Sequence, residues 1–325
     1  MGKKRRAGDQ TMKHKAISVL ILMSSLLPPL INAQQGEFPV LKGLYLGQKP
    51  PGLIPEIFMP GIVSTELNEH GAPTFSPDLL EMYWSPQYME IGGGRIIFMS
   101  CVDSQWQSPR TASFSQEFKN QNPFLSLDGQ RLFFKSFRPI DADVYRSGAF
   151  WVTERATEGW SIPKPLGTSV NSGSMGQQIT ESGNRNLYFA AERPGGKGLW
   201  DIYTVPFEHG SYAQAQNLGD AINTEFYESS PYIAPDESYL IFSSLSRPDS
   251  YGGSDLYISL RKSDGSWTTV SNMGGVINSK GHEEFPIGSP DEKYLFFFRE
   301  GDIYWVDMRI TEKLKSNDSV QNENP

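Results

Sequence analysis

The chain has 325 residues, with 37 acidic against 29 basic side chains and one cysteine. A formal net charge of −8 argues against nucleic acid or an anionic membrane surface as partner, and a single Cys101 excludes an intrachain disulfide. Aromatics at 12%, with 31 Gly and 23 Pro, suit many short strands joined by tight turns better than long helices.

In chain order, the first feature is a targeting segment. Lys13 and Lys15 precede the apolar run AISVLILMSSLL, which is followed by Pro28, Pro29 and a small residue at Ala33. These are the parts of a secretory signal peptide spanning residues 1–33, with residues 1–11 read as an upstream mis-start before Met12. The apolar run is too short to span a bilayer comfortably. No cysteine stands near the cleavage site to carry a lipid, so the expectation is a periplasmic or secreted protein with no stable membrane insertion. Cleavage removes six Lys/Arg and one Asp, which leaves 23 basic against 36 acidic residues, a net charge of −13.

Residues 34–54 form a lead-in, and after them the chain repeats. The phrase PTFSPDLLEMYWS at Pro73 returns as PFLSLDGQRLFFKS at Pro123, QITESGNRNLYFAA at Gln178, PYIAPDESYLIFSS at Pro231 and PIGSPDEKYLFFFR at Pro286, at spacings of 50 to 55 residues. Each copy reads as a short strand, a turn of Ser-Pro-Asp type, and an alternating apolar strand, which together make a hairpin. A third strand follows: GRIIFMS, GAFWVTE, LWDIYTV, SDLYISL and GDIYWVD. A fourth segment carries Trp106, Trp160, Tyr212 or Trp267 in the first four copies. Four strands per unit is the pattern of a propeller blade, and the tryptophans read as core or edge packing.

The last copy stops near Ile310 without a fourth strand. The segment PEIFMPGIVSTELNEHGAP before the first copy resembles the fourth-strand region SWTTVSNMGGVINSKGHEEFP. The expected fold is therefore an all-β, five-bladed β-propeller over residues 55–310, closed by an N-terminal strand that completes the last blade. A sixth blade would have to occupy residues 34–58, which are too few for one. The polar stretch 311–325 reads as a disordered tail.

The SPDG-x-x-L-x-F-x-S…G-x-DIY pattern resembles the TolB-like (WD40-like) β-propeller repeat of bacterial exported proteins, best in the fourth and fifth copies. The third copy departs from it with Glu181-Ser182-Gly183, and the first with Gly94-Arg95. That resemblance implies the fold, and it implies function only loosely, since such propellers occur both in binding proteins and beside peptidase domains.

No nucleophile elbow, zinc-binding helix, phosphate loop or cysteine pair is present in the sequence. No cofactor or metal is expected. Asp141 and Asp143 faintly match a calcium loop, but its later ligands and glycine are missing. Counting back three residues from the position that opens each repeat phrase gives His70, Asn120, Met175, Glu228 and Glu283. In a propeller these lie at one mouth of the central channel, and the second strands return there with Arg138, Arg193, Arg247 and Arg299.

Two readings stay open: interblade ion pairs repeated with the blade, or a ligand site at the arginines whose blades break the acidic pattern. The candidate ligand-binding residues are thus His70, Asn120, Glu228, Glu283, Arg138, Arg193, Arg247 and Arg299. Asp201, Asp255 and Asp302, which open third strands, read as anchors for a neighbouring loop backbone. The functional expectation is a binding or scaffold module for a protein or polysaccharide of the cell envelope, with no catalytic residue assigned. The alternative is a carbohydrate- or peptide-active hydrolase using Glu228, Glu283 and Asp143.

Overall fold

Five antiparallel sheets follow one another along the chain, each built from the hairpin and third strand that the repeat encodes. A computed structural model describes residues 38–87, 94–140 and 148–312. The signal-peptide segment, Asp141, Asp143 and the stretch after Glu312 lie outside the described residues. Among those described, no helix is long and apolar enough to cross a membrane.

Blade 2 shows the plan, running outward through Asn120–Leu125, Arg131–Ser136, Ala149–Glu154 and Lys164–Pro165. Blade 3 repeats it with Ser174–Glu181, Leu187–Glu192, Asp201–Val205 and Gln216–Asn217. Blade 4 does so with Tyr227–Ile233, Tyr239–Leu245, Ser254–Leu260 and Ser271–Asn272. Blade 1 is shorter, with Thr74–Phe75, Glu81–Trp84 and Ile97–Val102, the last of which also pairs with Arg110–Thr111.

The hairpin turns work as their composition predicts. Ser76 and Ser126 donate to Asp78 and Asp128 at 2.6 Å, while Ser289 donates to Asp291 at 2.7 Å. The same aspartates accept from backbone N–H groups two residues on, which closes the turn without another chain's help. Along the inner strands, Asn122, Ser230 and Phe285 take φ of 51°, 49° and 55° at register breaks just before Pro123, Pro231 and Pro286. Such bulges turn the chain and re-aim side chains.

The ring closes as the truncated last copy requires. Blade 5 consists of Glu283–Gly288, Tyr294–Arg299 and Asp302–Asp307, and its fourth strand is Glu56–Ile57, with Glu56 opposite Trp305 and Ile57 opposite Tyr304. Closure leaves that strand edge paired rather than open to another chain. Upstream residues strap the same seam. Leu41 bridges to Trp106 of blade 1, and the Tyr45 hydroxyl donates to Asp291 of blade 5 at 2.6 Å. Tyr45 packs on Phe75, Tyr294 and Trp305, with ring centroids 5.0 to 5.7 Å apart. After Asp307, Met308–Thr311 forms a 3-10 turn whose Met308 and Ile310 join the apolar cluster between blades 4 and 5.

One clamp recurs at every crossover. Asn171, Asn223 and Asn278 each accept from and donate to the backbone of one third-strand residue, Phe150, Ile202 and Leu256. Ser64 does the same for Ile303, and Ser115 accepts from Ile96. Five clamps for five blades mark where each crossover leads into the next inner strand, and so position the residues that follow.

Candidate binding site at one end of the ring

Each inner strand begins beside the end of its blade's second strand, because the hairpin is antiparallel. Asn120 lies opposite Ser136, Met175 opposite Ala191, Glu228 opposite Ser244 and Glu283 opposite Arg299. All eight candidate residues therefore stand at one end of the blades, but their partners differ from blade to blade.

In blades 4 and 5 the acid and base meet within one blade, not between blades. Arg247 bonds Glu228 at 2.8 Å, and Arg299 bonds Glu283 at 3.0 Å. Glu228 also accepts from the Thr224 hydroxyl and backbone N–H, and Glu283 from the same groups of Ser279. Both carboxylates are wholly buried, so the guanidinium and these donors replace the water they have lost. Each arginine additionally donates to a crossover carbonyl, Ile222 or Ile277, just before the clamp asparagine.

Blades 2 and 3 keep the base and lose the acid. Asn120 takes the glutamate's place and donates to Ser115 and Phe118, while the Met175 side chain offers neither a charge nor a donor. Arg138 still reaches the Phe114 carbonyl at 2.8 Å, and Arg193 the Ser169 carbonyl at 3.0 Å. Neither arginine forms a salt bridge among the described residues. Arg138 Nη1 and Arg193 Nε are enclosed without a hydrogen-bond partner. What they keep is the aromatic packing that Arg247 and Arg299 also have: Trp151 and Phe118 lie about 5 Å from the Arg138 guanidinium, and Phe189 and Tyr203 about 5 Å from that of Arg193. Burial lowers the pKa of both groups.

Blade 1 keeps the acid and loses the base, and its acid is Glu69, not His70. Glu69 accepts from the Thr65 N–H and hydroxyl, five residues beyond the clamp Ser64, as Glu228 and Glu283 lie five beyond Asn223 and Asn278. Counting back from Pro73 misses it by one, because blade 1 carries an extra residue, Gly71 at φ 112°. The Ser/Thr-x-x-x-Glu spacing after the clamp was the signal that could have found it. Glu69 is wholly buried, both Thr65 bonds fall on Oε1, and Oε2 has no partner. Burial pushes its carboxyl up to about 7, against the Thr65 bonds, with nearby Asp302 adding a small upward push. His70 packs its ring on Phe285, centroids 4.8 Å apart, and its Nδ1 is enclosed without a partner in hydrogen-bond geometry. Burial holds that imidazole down at about 4, opposed by the Asn122 side chain.

A pocket of about 570 Å³ opens at this end between blades 5 and 1. Its walls include Glu66, Glu284, Glu300 and Asp302, with His70, His282 and the rings of Phe285 and Phe298, and no lysine or arginine. The aspartates that open third strands divide here. Asp201 accepts from the Lys197 and Gly198 N–H groups, and Asp255 from Tyr251 N–H, as loop anchors should. Asp302 faces the pocket instead, its pKa raised by burial.

Fold and site together define a five-bladed β-propeller with an acidic pocket at the seam of blades 5 and 1, and, among the described residues, Glu/Arg pairs in blades 4 and 5 and arginines without a salt bridge in blades 2 and 3. No family model and no curated protein sequence matches the chain. Solved structures do resemble it, TolB among them. TolB from Acinetobacter baumannii aligns at 13% identity and a TM-score of 0.48, over 75% of this chain and 55% of that one. A puromycin hydrolase aligns at 15% and 0.42, over 81% and 41%. A gluconolactonase from Xanthomonas campestris aligns at 13% and 0.43, over 82% and 97%. The chain thus spans about half of TolB and two fifths of the hydrolase. At such identities the likeness is one of fold, and the assignment rests on the five sheets and their closure.

Proposed function

We propose that the chain is an exported, non-catalytic propeller that binds a protein or a cell-surface polymer of the envelope at the Glu/Arg end of its ring. One observation carries this reading: a charge pair that the repeat builds in blades 4 and 5 is, among the described residues, left half-made in blades 1, 2 and 3, at the end where the acidic pocket opens. A purely structural ion-pair ring would have no reason to lose its acid on one side and its base on the other. Glu228 and Glu283, the carboxylates available for hydrolysis, have their oxygens occupied by arginine and Ser/Thr donors, which favours binding over catalysis.

The test is capture of partners from envelope extract by tagged wild type, by a Glu284→Lys, Glu300→Lys double variant at the pocket, and by Gln130→Glu in an exposed hairpin turn. A partner retained by wild type and Gln130→Glu but lost by the double variant supports the reading. Equal capture by all three, or hydrolysis of polysaccharide or peptide by the wild type, sinks it.

A further inference from the structure

In blades 4 and 5 a guanidinium stands against the buried glutamate; in blade 1 none does among the described residues. Residues 85–94, which follow that blade's second strand, contain no lysine or arginine. The next arginine, Arg95, is turned to the Ser115 and Phe118 carbonyls. Glu69 is nonetheless kept, enclosed, with Oε2 unpartnered. An unpaired buried carboxylate costs stability unless it takes up a proton or meets a cation, so in its ionised form Glu69 is left to be met by a cation from elsewhere.

The surroundings say where that cation would stand. Glu69 sits one layer behind the pocket wall, enclosed and not itself lining it: Thr65 donates to its carboxylate, Gly301 accepts from its N–H at 3.0 Å, and its chain neighbours Asn68 and His70 form the wall. The same space collects Glu284, Glu300 and Asp302, none of them in a salt bridge among the described residues, beside the faces of Phe285 and Phe298. Carboxylates with aromatic walls suit an organic cation. A metal ion is less well served, since among the described residues no three His, Cys, Asp or Glu side chains converge to hold one.

We propose that the pocket between blades 5 and 1 receives a guanidinium or alkylammonium group from a ligand, held by Glu284, Glu300 and Asp302 and, through the wall that Thr65, Asn68 and His70 form, by the unpaired charge of Glu69 behind it. The proposal rests on reading this end of the ring as a binding face, and it names the chemistry of what binds there. The same group could come from a basic side chain of a polypeptide partner or from a free amine or guanidine.

Calorimetric titration of the purified chain at pH 8 tests it. The probes are N-acetyl-arginine amide, N-acetyl-lysine amide, N-acetyl-glutamine amide as the neutral control, and calcium chloride. Saturable binding of a cationic amide but not the neutral one is expected, weakened about tenfold or more by Glu69→Gln and by Glu300→Gln. Glu300 is exposed, so its variant keeps the test sound even if the buried substitution misfolds. A ten-residue arginine peptide separates the sources: tighter binding than the amide assigns a polypeptide, and equal binding a small cation. No binding of either cationic amide, binding indifferent to both variants, or calcium displacing the amide overturns the proposal. An envelope partner still captured when the amides fail would overturn this inference alone and leave the broader binding reading standing.

Discussion

Blades 4 and 1 start from the same instruction, a Ser/Thr-x-x-x-Glu after the crossover clamp, and end in opposite states. In blade 4 the buried Glu228 is saturated by Thr224, Ser244 and Arg247. In blade 1 the equally buried Glu69 has Thr65 alone. What lets blade 1 survive is that its seam with blade 5 is held by other means. Phe58 is fully buried against Phe75, Phe296 and Trp305, with centroids 5.1 to 6.1 Å apart, and Tyr45 packs from the other side. Apolar contact is indifferent to charge, so it frees the carboxylate from structural duty at that seam.

The sharpest way to break the contrast is to make blade 4 resemble blade 1. Arg247→Met keeps the aliphatic bulk but strands the buried Glu228 without its cation, and should cost about 3–5 kcal/mol in denaturant unfolding. A loss below about 1 kcal/mol would mean that the pair is not what holds that blade. The converse, Phe58→Ala, removes the seam's central ring and should cost about 3–4 kcal/mol, lowering the denaturant midpoint. An unchanged midpoint would refute the claim that aromatic packing closes the ring.

A smaller effect separates the two glutamates by pH. The folded-state pKa of Glu69, about 7, lies above its ordinary 4.5. Between these values the folded chain holds more protons than the unfolded one. The stability this confers is complete below pH 4.5 and lost as pH rises through 7, a change of about 1–3 kcal/mol. His70, depressed to about 4, works in the opposite sense and loses stability as pH falls from 6.5. The measurement is therefore the difference between wild type and Glu69→Gln at each pH. The variant should gain on the wild type from pH 4.5 to 8, and a flat difference would show that Glu69 does not titrate there.

How much of this was legible follows from where the signals sit. Closure could be read because the fifth copy visibly lacks a strand that PEIFMPGIVSTELNEHGAP resembles, and Glu56 opposite Trp305 meets that reading. That Arg138 and Arg193 have no carboxylate partner among the described residues also followed from the pattern, since Asn120 and Met175 stand where other blades have glutamate. Glu69 was hidden by arithmetic: alignment on Pro73 cannot register the extra Gly71, whereas the clamp serine lies in a segment with no strand pattern of its own. Whether the pairs ran within or between blades depended on where the long arginine side chains fold back, and repeat spacing is blind to that. Asp302 looked like Asp201 and Asp255, and differs because, among the described residues, the loop before it returns no N–H to its carboxylate as Lys197 and Tyr251 do to theirs.

The smallest expected effect asks whether blade 1 can be given what it lacks. Gln87 is half-buried just past the end of that blade's second strand, and its N–H bonds the Asn68 carbonyl beside Glu69. Gln87→Arg places a guanidinium near the position that Arg299 fills opposite Glu283. At pH 8, where Glu69 is ionised, the new pair should add about 1 kcal/mol, because the carboxylate is already desolvated and only the arginine must be immobilised. The gain should vanish in a Glu69→Gln background, since without the charge there is nothing to pair. Thermal unfolding of the four chains of that double-mutant cycle reads the coupling directly. A coupling of zero would mean that the vacancy beside Glu69 is not arginine-shaped, and that blade 1 has departed from the repeat in its backbone as well as its charge.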